Sequence, residues 1–233
     1  MRNPSYVDMV QNSTPTIDLN EICETTIDLL KTETNVIPEF LIITNNKDIN
    51  GNILEPYEGK TMVDIFEEFA QYKTLKGIPS VVVTVDTICT RYLGNDIQAK
   101  IHNFLLDVYR QYGSIYVLLG GDVNVIPERM VDTMYKNGIG STTTFLPFPS
   151  DLYYSAVQTS WDSNMNGIYG ELSDINNHFP DFFLSRAPVE NTQEASIFIN
   201  KCDLYENLSE LVEEDRSFVT NLVSMNYHKL NNL

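Results

Sequence analysis

Hydrophobic and polar positions alternate along the chain with two distinct periods. Phe40-Leu-Ile-Ile-Thr44 is a short continuous apolar run, as expected of a strand buried on both faces. Asn45–Gly51 (NNKDING) carries turn chemistry. From Thr61 to Lys76 the period changes to three and four, with Met62, Ile65, Phe66, Phe69 and Tyr72 on one stripe and Gly77 as a stop. Val81–Val85 is a second buried strand. Asn95 or Asp96 opens a further helix whose stripe is Ile97, Ile101, Phe104, Leu105, Val108 and Tyr112, ended by Gly113. Ile115–Leu119 is the third strand, and Gly120-Gly-Asp122 follows it. Buried strands alternating with amphipathic helices predict an α/β fold, a parallel sheet with helices on both faces and right-handed crossovers.

The flanks read differently. Residues 1–36 are polar and rich in Thr and Asn. One amphipathic stretch, Asp18–Leu30, is opened by a capping-box pair, Asp18 and Glu21. They are expected to form a linker and a docking helix. Residues 128–150 hold two Gly, two Pro and four consecutive Ser/Thr, which fits a long excursion or hairpin. Asp151–Val157 reads as a strand, Trp161–Glu171 as a turn rich in Asx and Gly, and Phe182–Arg186 as a strand. Asn191 or Thr192 caps a helix running to about Leu208, and Phe218–Met225 reads as one more strand. The expected organisation is therefore a linker over 1–36, a first α/β half over 37–150 and the start of a second half over 151–233.

Charge narrows the partners. Fifteen Lys and Arg against thirty-two Asp and Glu give a formal charge of −17. Such a field repels a phosphate backbone and attracts cations, so nucleic acid is not an expected partner. No apolar run approaches the roughly 18 residues that would cross a bilayer. Met1–Asn12 has no apolar stretch of a secretory signal.

The strongest candidate for chemistry is a metal loop. Asp162, Asn164 and Asn166 occupy positions 1, 3 and 5 and Gly167 follows, the opening half of a calcium loop, with the Ile168 carbonyl and Glu171 as further ligands. An EF-hand would need Glu at position 12, where Ser173 stands, so this is a different loop. The competing reading is a solvated Asn-Gly turn that needs no metal. No organic cofactor is expected, because GGDVNVIP lacks the GxGxxG spacing of a dinucleotide site. Cys23, Cys89 and Cys202 form no CxxC pair. Cys202 shares a helix face with Phe198, Ile199 and Tyr205, which marks it as a core residue. His102 falls between core positions of its helix, while His178 and His228 stand in polar segments. Ser141 lacks a GxSxG context. None of these forms a recognisable nucleophile–base pair, and no catalytic residue is assigned.

Seven segments in order resemble the gingipain family of cysteine peptidases, which have a caspase-like fold. They are FLIIT (40–44), GIPSVVVTVD (77–86), YVLLGGDVNVIP (116–127), SDLYY (150–154), WDSNMNGIYGE (161–171), PDFFLSRAPVEN (180–191) and KCDLYE (201–206). The resemblance covers about residues 38–206. It implies protein or peptide substrates, a cysteine nucleophile beside a His, and export from a bacterial cell to its surface or surroundings. In the family, the His-Gly segment and catalytic Cys follow the strand after the helix ending YE. That strand is Phe218–Met225 here, and no His-Gly dipeptide occurs in the sequence. The resemblance therefore implies the N-terminal portion of a catalytic domain, inactive alone, whose partner is the missing C-terminal half. The alternatives are a stand-alone, calcium-stabilised binding module and a nucleotide-binding Rossmann-like protein.

Overall fold

The computed structural model describes residues 37–136, 143–171, 174 and 179–207, without side-chain detail for 133–136 and 143–146. The expected helix at Asp18–Leu30, the strand at Phe218–Met225, and Cys23, Ser141, His178 and His228 lie outside them.

Four strands form one parallel sheet: β1 (Phe40–Thr44), β2 (Ser80–Thr84), β3 (Tyr116–Gly120) and β6 (Phe183–Ala187), in the order β2-β1-β3-β6. The register is unbroken, Phe40 pairing with Ser80 and Tyr116, and Tyr116 with Phe183. Helix α1 (Met62–Leu75) carries the chain from β1 outward to β2. A short helix α2 (Val85–Arg91) and then α3 (Ile97–Tyr112) carry it back past β1 to β3. Because the two crossovers run in opposite directions, their common right hand puts α1 and α3 on opposite faces. Helix α5 (Thr192–Glu206) returns to the α1 face, where the Lys73 ammonium donates to Glu206. The result is a three-layer α/β arrangement, as expected.

Local chemistry sets the helix starts. Thr61 and Asp64 form a complete capping box at α1, Asp96 accepts from the Ala99 N–H at 2.7 Å, and Asn191 accepts from the Glu194 N–H at 2.9 Å. Both faces of the sheet are filled. Phe40 meets Phe69 of α1 edge to face, while Leu41 and Ile43 are buried on the opposite side with Ile101, Phe104, Leu105 and Val108 of α3.

Two expectations need correction. Val81–Val85 ends one residue early as a strand, because Thr84 caps a helix by accepting from the Thr87 N–H at 3.1 Å. Asp151–Val157 is not a strand. Leu152–Ser155 is a single helical turn, α4. The two tyrosines must diverge by a helical angle: the Tyr154 hydroxyl donates to the Pro127 carbonyl, while Tyr153 enters an aromatic cluster with Trp161 and Tyr169. All of 153–157 is buried, so alternation of exposure carried no information there. The excursion at 128–150 is a hairpin, β4 (Arg129–Lys136) paired antiparallel with β5 (Thr143–Ser150).

Arg186, inside β6, joins these pieces at the carboxyl edge of the sheet. Its Nε and one terminal nitrogen donate to the two Asp151 oxygens at 2.7 and 2.6 Å. The other terminal nitrogen donates to the Gly121 and Ile126 carbonyls at 2.9 and 2.8 Å. Asp151 consequently gives no side-chain cap to α4, and the Ser150 hydroxyl takes the Leu152 N–H instead.

Replacing Arg186 with Met strands one carboxylate and two carbonyls. A loss of about 2–4 kcal/mol is expected, discounted because Asp151 keeps partial exposure. Adding Asp151→Asn should recover part of it, and a single mutant with the wild-type denaturation midpoint would contradict the assignment. Gly120 is a second tight point, since a Cβ there would stand 2.9 Å from the buried Phe66 ring. Gly120→Ala should cost about 1–3 kcal/mol in the same measurement, and no loss would mean that the ring yields freely.

Candidate functional site

Open parallel sheets bind ligands where the strand order reverses, at the carboxyl ends of the two central strands. Here that place lies between β1 and β3. The chain's own groups occupy it. The Thr44 hydroxyl donates to the Gly120 carbonyl at 2.6 Å, the Ile49 N–H donates to the Asn124 carbonyl at 2.7 Å, and Val125 packs against Gly121. The two glycines thus allow Phe66 and Val125 to approach the backbone. The Asp122 carboxylate accepts from the Asn124 N–H at 2.8 Å, a local turn bond. Nearby, Lys47 reaches Asp86 at 2.6 Å.

The nucleophile candidates stay apart from the imidazole. Cys202 lines an apolar pocket of about 380 Å³ with Phe40, Phe69, Tyr116, Phe183 and Phe198, between the sheet and α1 and α5. Burial raises its thiol pKa against the opposing pull of Lys73. Cys89, in α2, is likewise raised by burial. A raised pKa keeps a thiol protonated and poorly nucleophilic at neutral pH. His102, on α3, stacks on Tyr153 at 4.6 Å. Among the described residues, no hydrogen bond joins a thiol to an imidazole, which a cysteine peptidase site requires.

The 162–171 loop does gather its expected residues. Asp162 accepts through both oxygens, from the Asn166 and Gly167 N–H groups at 2.9 and 3.0 Å. The Asn164 carbonyl oxygen accepts from the Asn166 N–H at 3.0 Å, and that of Asn166 from the Ile168 N–H at 2.8 Å. One Glu171 oxygen accepts from both side-chain amides, at 2.5 and 2.6 Å. The tight path uses left-handed backbone at Met165 and Gly167. Ile168 enters the network through its N–H, and its side chain is exposed.

This donor set is all oxygen, which suits a hard cation such as calcium. Carbonyl and carboxylate oxygens each carry two lone pairs, so one oxygen can accept a backbone N–H and face a cation together, whereas the two amide donors on Glu171 would have to give way. The network is also complete without a metal. Among the described residues, no group of three or more His, Cys, Asp or Glu could hold one.

Sequence reasoning missed three residues that shape this region. Asp174, buried, closes the loop base by accepting from Ser163 and the Glu171 N–H. Arg129 pairs with Asp96 at 2.7 and 2.9 Å and lies over the rings of Tyr153 and Tyr169. Arg186 is the third. An Arg inside an apolar strand, as in FFLSRAP, is the available signal, because a charge there must find partners.

Comparison with known proteins gives these features a family. The sequence profile of peptidase family C25 matches residues 33–227. No curated protein sequence matches the chain. Among solved structures, one described as a protease aligns with 19% identity and a TM-score of 0.46, over 77% of this chain and 30% of its own. Dimeric latent PorU from Porphyromonas gingivalis aligns with 15% identity and a TM-score of 0.45, over 75% of this chain and 16% of its own. The chain thus spans less than a third of the length of either structure. No described helix is long and apolar enough to cross a membrane. With the profile covering most of its length, the chain belongs to peptidase family C25, the gingipain family.

Proposed function

We propose that this chain is the N-terminal portion of a gingipain-like cysteine endopeptidase catalytic domain and hydrolyses no peptide bond by itself. The observation that carries the reading is the family match over 33–227, taken with described thiols that have no imidazole partner. The catalytic His and Cys belong to a further part of the domain. Protein or peptide substrates are met only by the whole enzyme, at the cell surface or outside the cell.

The described surface supports a scaffold role. Among the described strands β6 is an edge of the sheet, and Phe183 at its start is 64% exposed and stacked on Tyr116. Helix α5 buries only Thr192 and Ala195 fully and exposes Ile197, Leu204 and Tyr205. Apolar groups left on one flank fit a surface completed by the rest of the domain.

Calcium, bound at Asp162, Asn164, Asn166, the Ile168 carbonyl and Glu171, is proposed as structural. Its chemistry would be to hold carboxylates and carbonyls together in the loop, adding stability through preferential binding to the folded state.

The chain alone should show no cleavage of peptide or protein substrates. Cleavage abolished by Cys202→Ala would overturn the proposal. Calcium at about a hundredfold over its dissociation constant should stabilise the fold by about 2.7 kcal/mol. That gain should disappear with chelator or in Asp162→Ala. A melting temperature indifferent to millimolar calcium and to chelator would remove the metal from the account while leaving the peptidase assignment intact.

A further inference from the structure

The ring of Tyr153 is the centre of a cage built from four parts of the chain. His102 of α3 stacks on it at 4.6 Å, and the Arg129 guanidinium of β4 lies 4.6 Å from its centroid. Trp161 and Tyr169 of the 161–171 loop meet it at 5.7 and 5.8 Å, and Tyr154 at 5.5 Å. This cage, with the Asp96–Arg129 pair, joins the hairpin, α4 and the loop to α3. The buried Nε2 of His102 has no hydrogen-bond partner among the described residues, and neither has the Arg129 Nε. We propose that the cage is an acid-sensitive latch: protonation of His102 releases the hairpin, α4 and the 161–171 loop from α3 while the four-stranded sheet stays folded.

The charges facing His102 account for the direction. Arg129 already places one cation in the cage. The Asp96 carboxylate, at the start of α3, is committed to that guanidinium and to the Ala99 N–H. Asp181, before β6, is held by the backbone and side chain of Gln158 at 3.1 and 2.7 Å. Tyr153 is no anion, since burial pushes its pKa up to about 12. Tyr154 is raised well above its ordinary value, again by burial. The Arg129 guanidinium also lies over the Tyr169 ring, 4.0 Å from its centroid. A second cation would thus enter a desolvated cluster in which Asp96 and Asp181 are both already engaged. Burial first, and Arg129 with it, lower the His102 pKa to about 4, against the Asn103 side chain, the Ala156 backbone and Asp181.

Once opened, the imidazole regains its ordinary pKa of about 6.5. The open state then binds the extra proton between those values, so closure is strongest above pH 6.5 and is lost as pH falls toward 4. The closed-to-open ratio should drop about tenfold per pH unit across the middle of this window.

Trp161 is the one tryptophan of the chain and sits buried in the cage, so it reports opening directly. Emission and far-ultraviolet circular dichroism of the full chain are followed together from about pH 7.5 to 4.5, a range set by the imidazole window. The expected result is a red shift of the emission with retained dichroism, absent in His102→Phe, whose ring keeps the stack without the proton. Constant emission, a shift preserved in His102→Phe, or emission and dichroism collapsing together would each overturn the latch. Should His102→Phe not fold, imidazole NMR of the wild type decides. One of the three His must titrate well below its ordinary pKa, in step with the emission, and three ordinary titrations would overturn it.

Discussion

The guanidinium of Arg186 is the constraint on which the carboxyl side of the molecule depends. It stands in β6 and addresses three separate stretches: the turn after β3, the carbonyl of Ile126 before the hairpin, and Asp151 at the start of α4. Bidentate pairing fixes orientation as well as distance. With Asp151 so held, Tyr154 can reach Pro127 and Tyr153 can enter the cage with Arg129 and Trp161. Four of the seven family segments, YVLLGGDVNVIP, SDLYY, WDSNMNGIYGE and PDFFLSRAPVEN, thereby belong to one connected structure.

This network explains what could be read in advance. Strands β1 and β3 were legible because both faces are buried, which leaves an uninterrupted apolar run. Helices α1 and α3 were legible because each pairs a capping side chain with a long stripe, and α5 through its Asn191 cap. Helix α2 was missed because its cap, Thr84, is also the last residue of a Val-rich strand. The turn α4 was missed because its direction is set by Arg186, thirty-five residues away, and by Tyr154 bonding to Pro127. The residues of the 162–171 loop could be named since their interactions are local in sequence. Arg129 and Arg186 pair with residues 33 and 35 positions away, and local spacing holds no record of such pairings.

The same distinction runs through function. An oxygen-rich loop and a filled sheet crevice are properties of the described residues themselves. Peptide hydrolysis requires a thiolate, an imidazole and an oxyanion site in one place, and the described thiols sit in apolar packing instead. Among the described residues, the β6 side of the sheet and α5 expose apolar side chains.

The most direct test is the intact mass of the natural product in its source cells, detected with an antibody raised against this chain. A species well above 26.6 kDa, carrying a His and a Cys after Leu233, is the predicted result. A sole species at 26.6 kDa would contradict the account and make binding, not proteolysis, the property to explain.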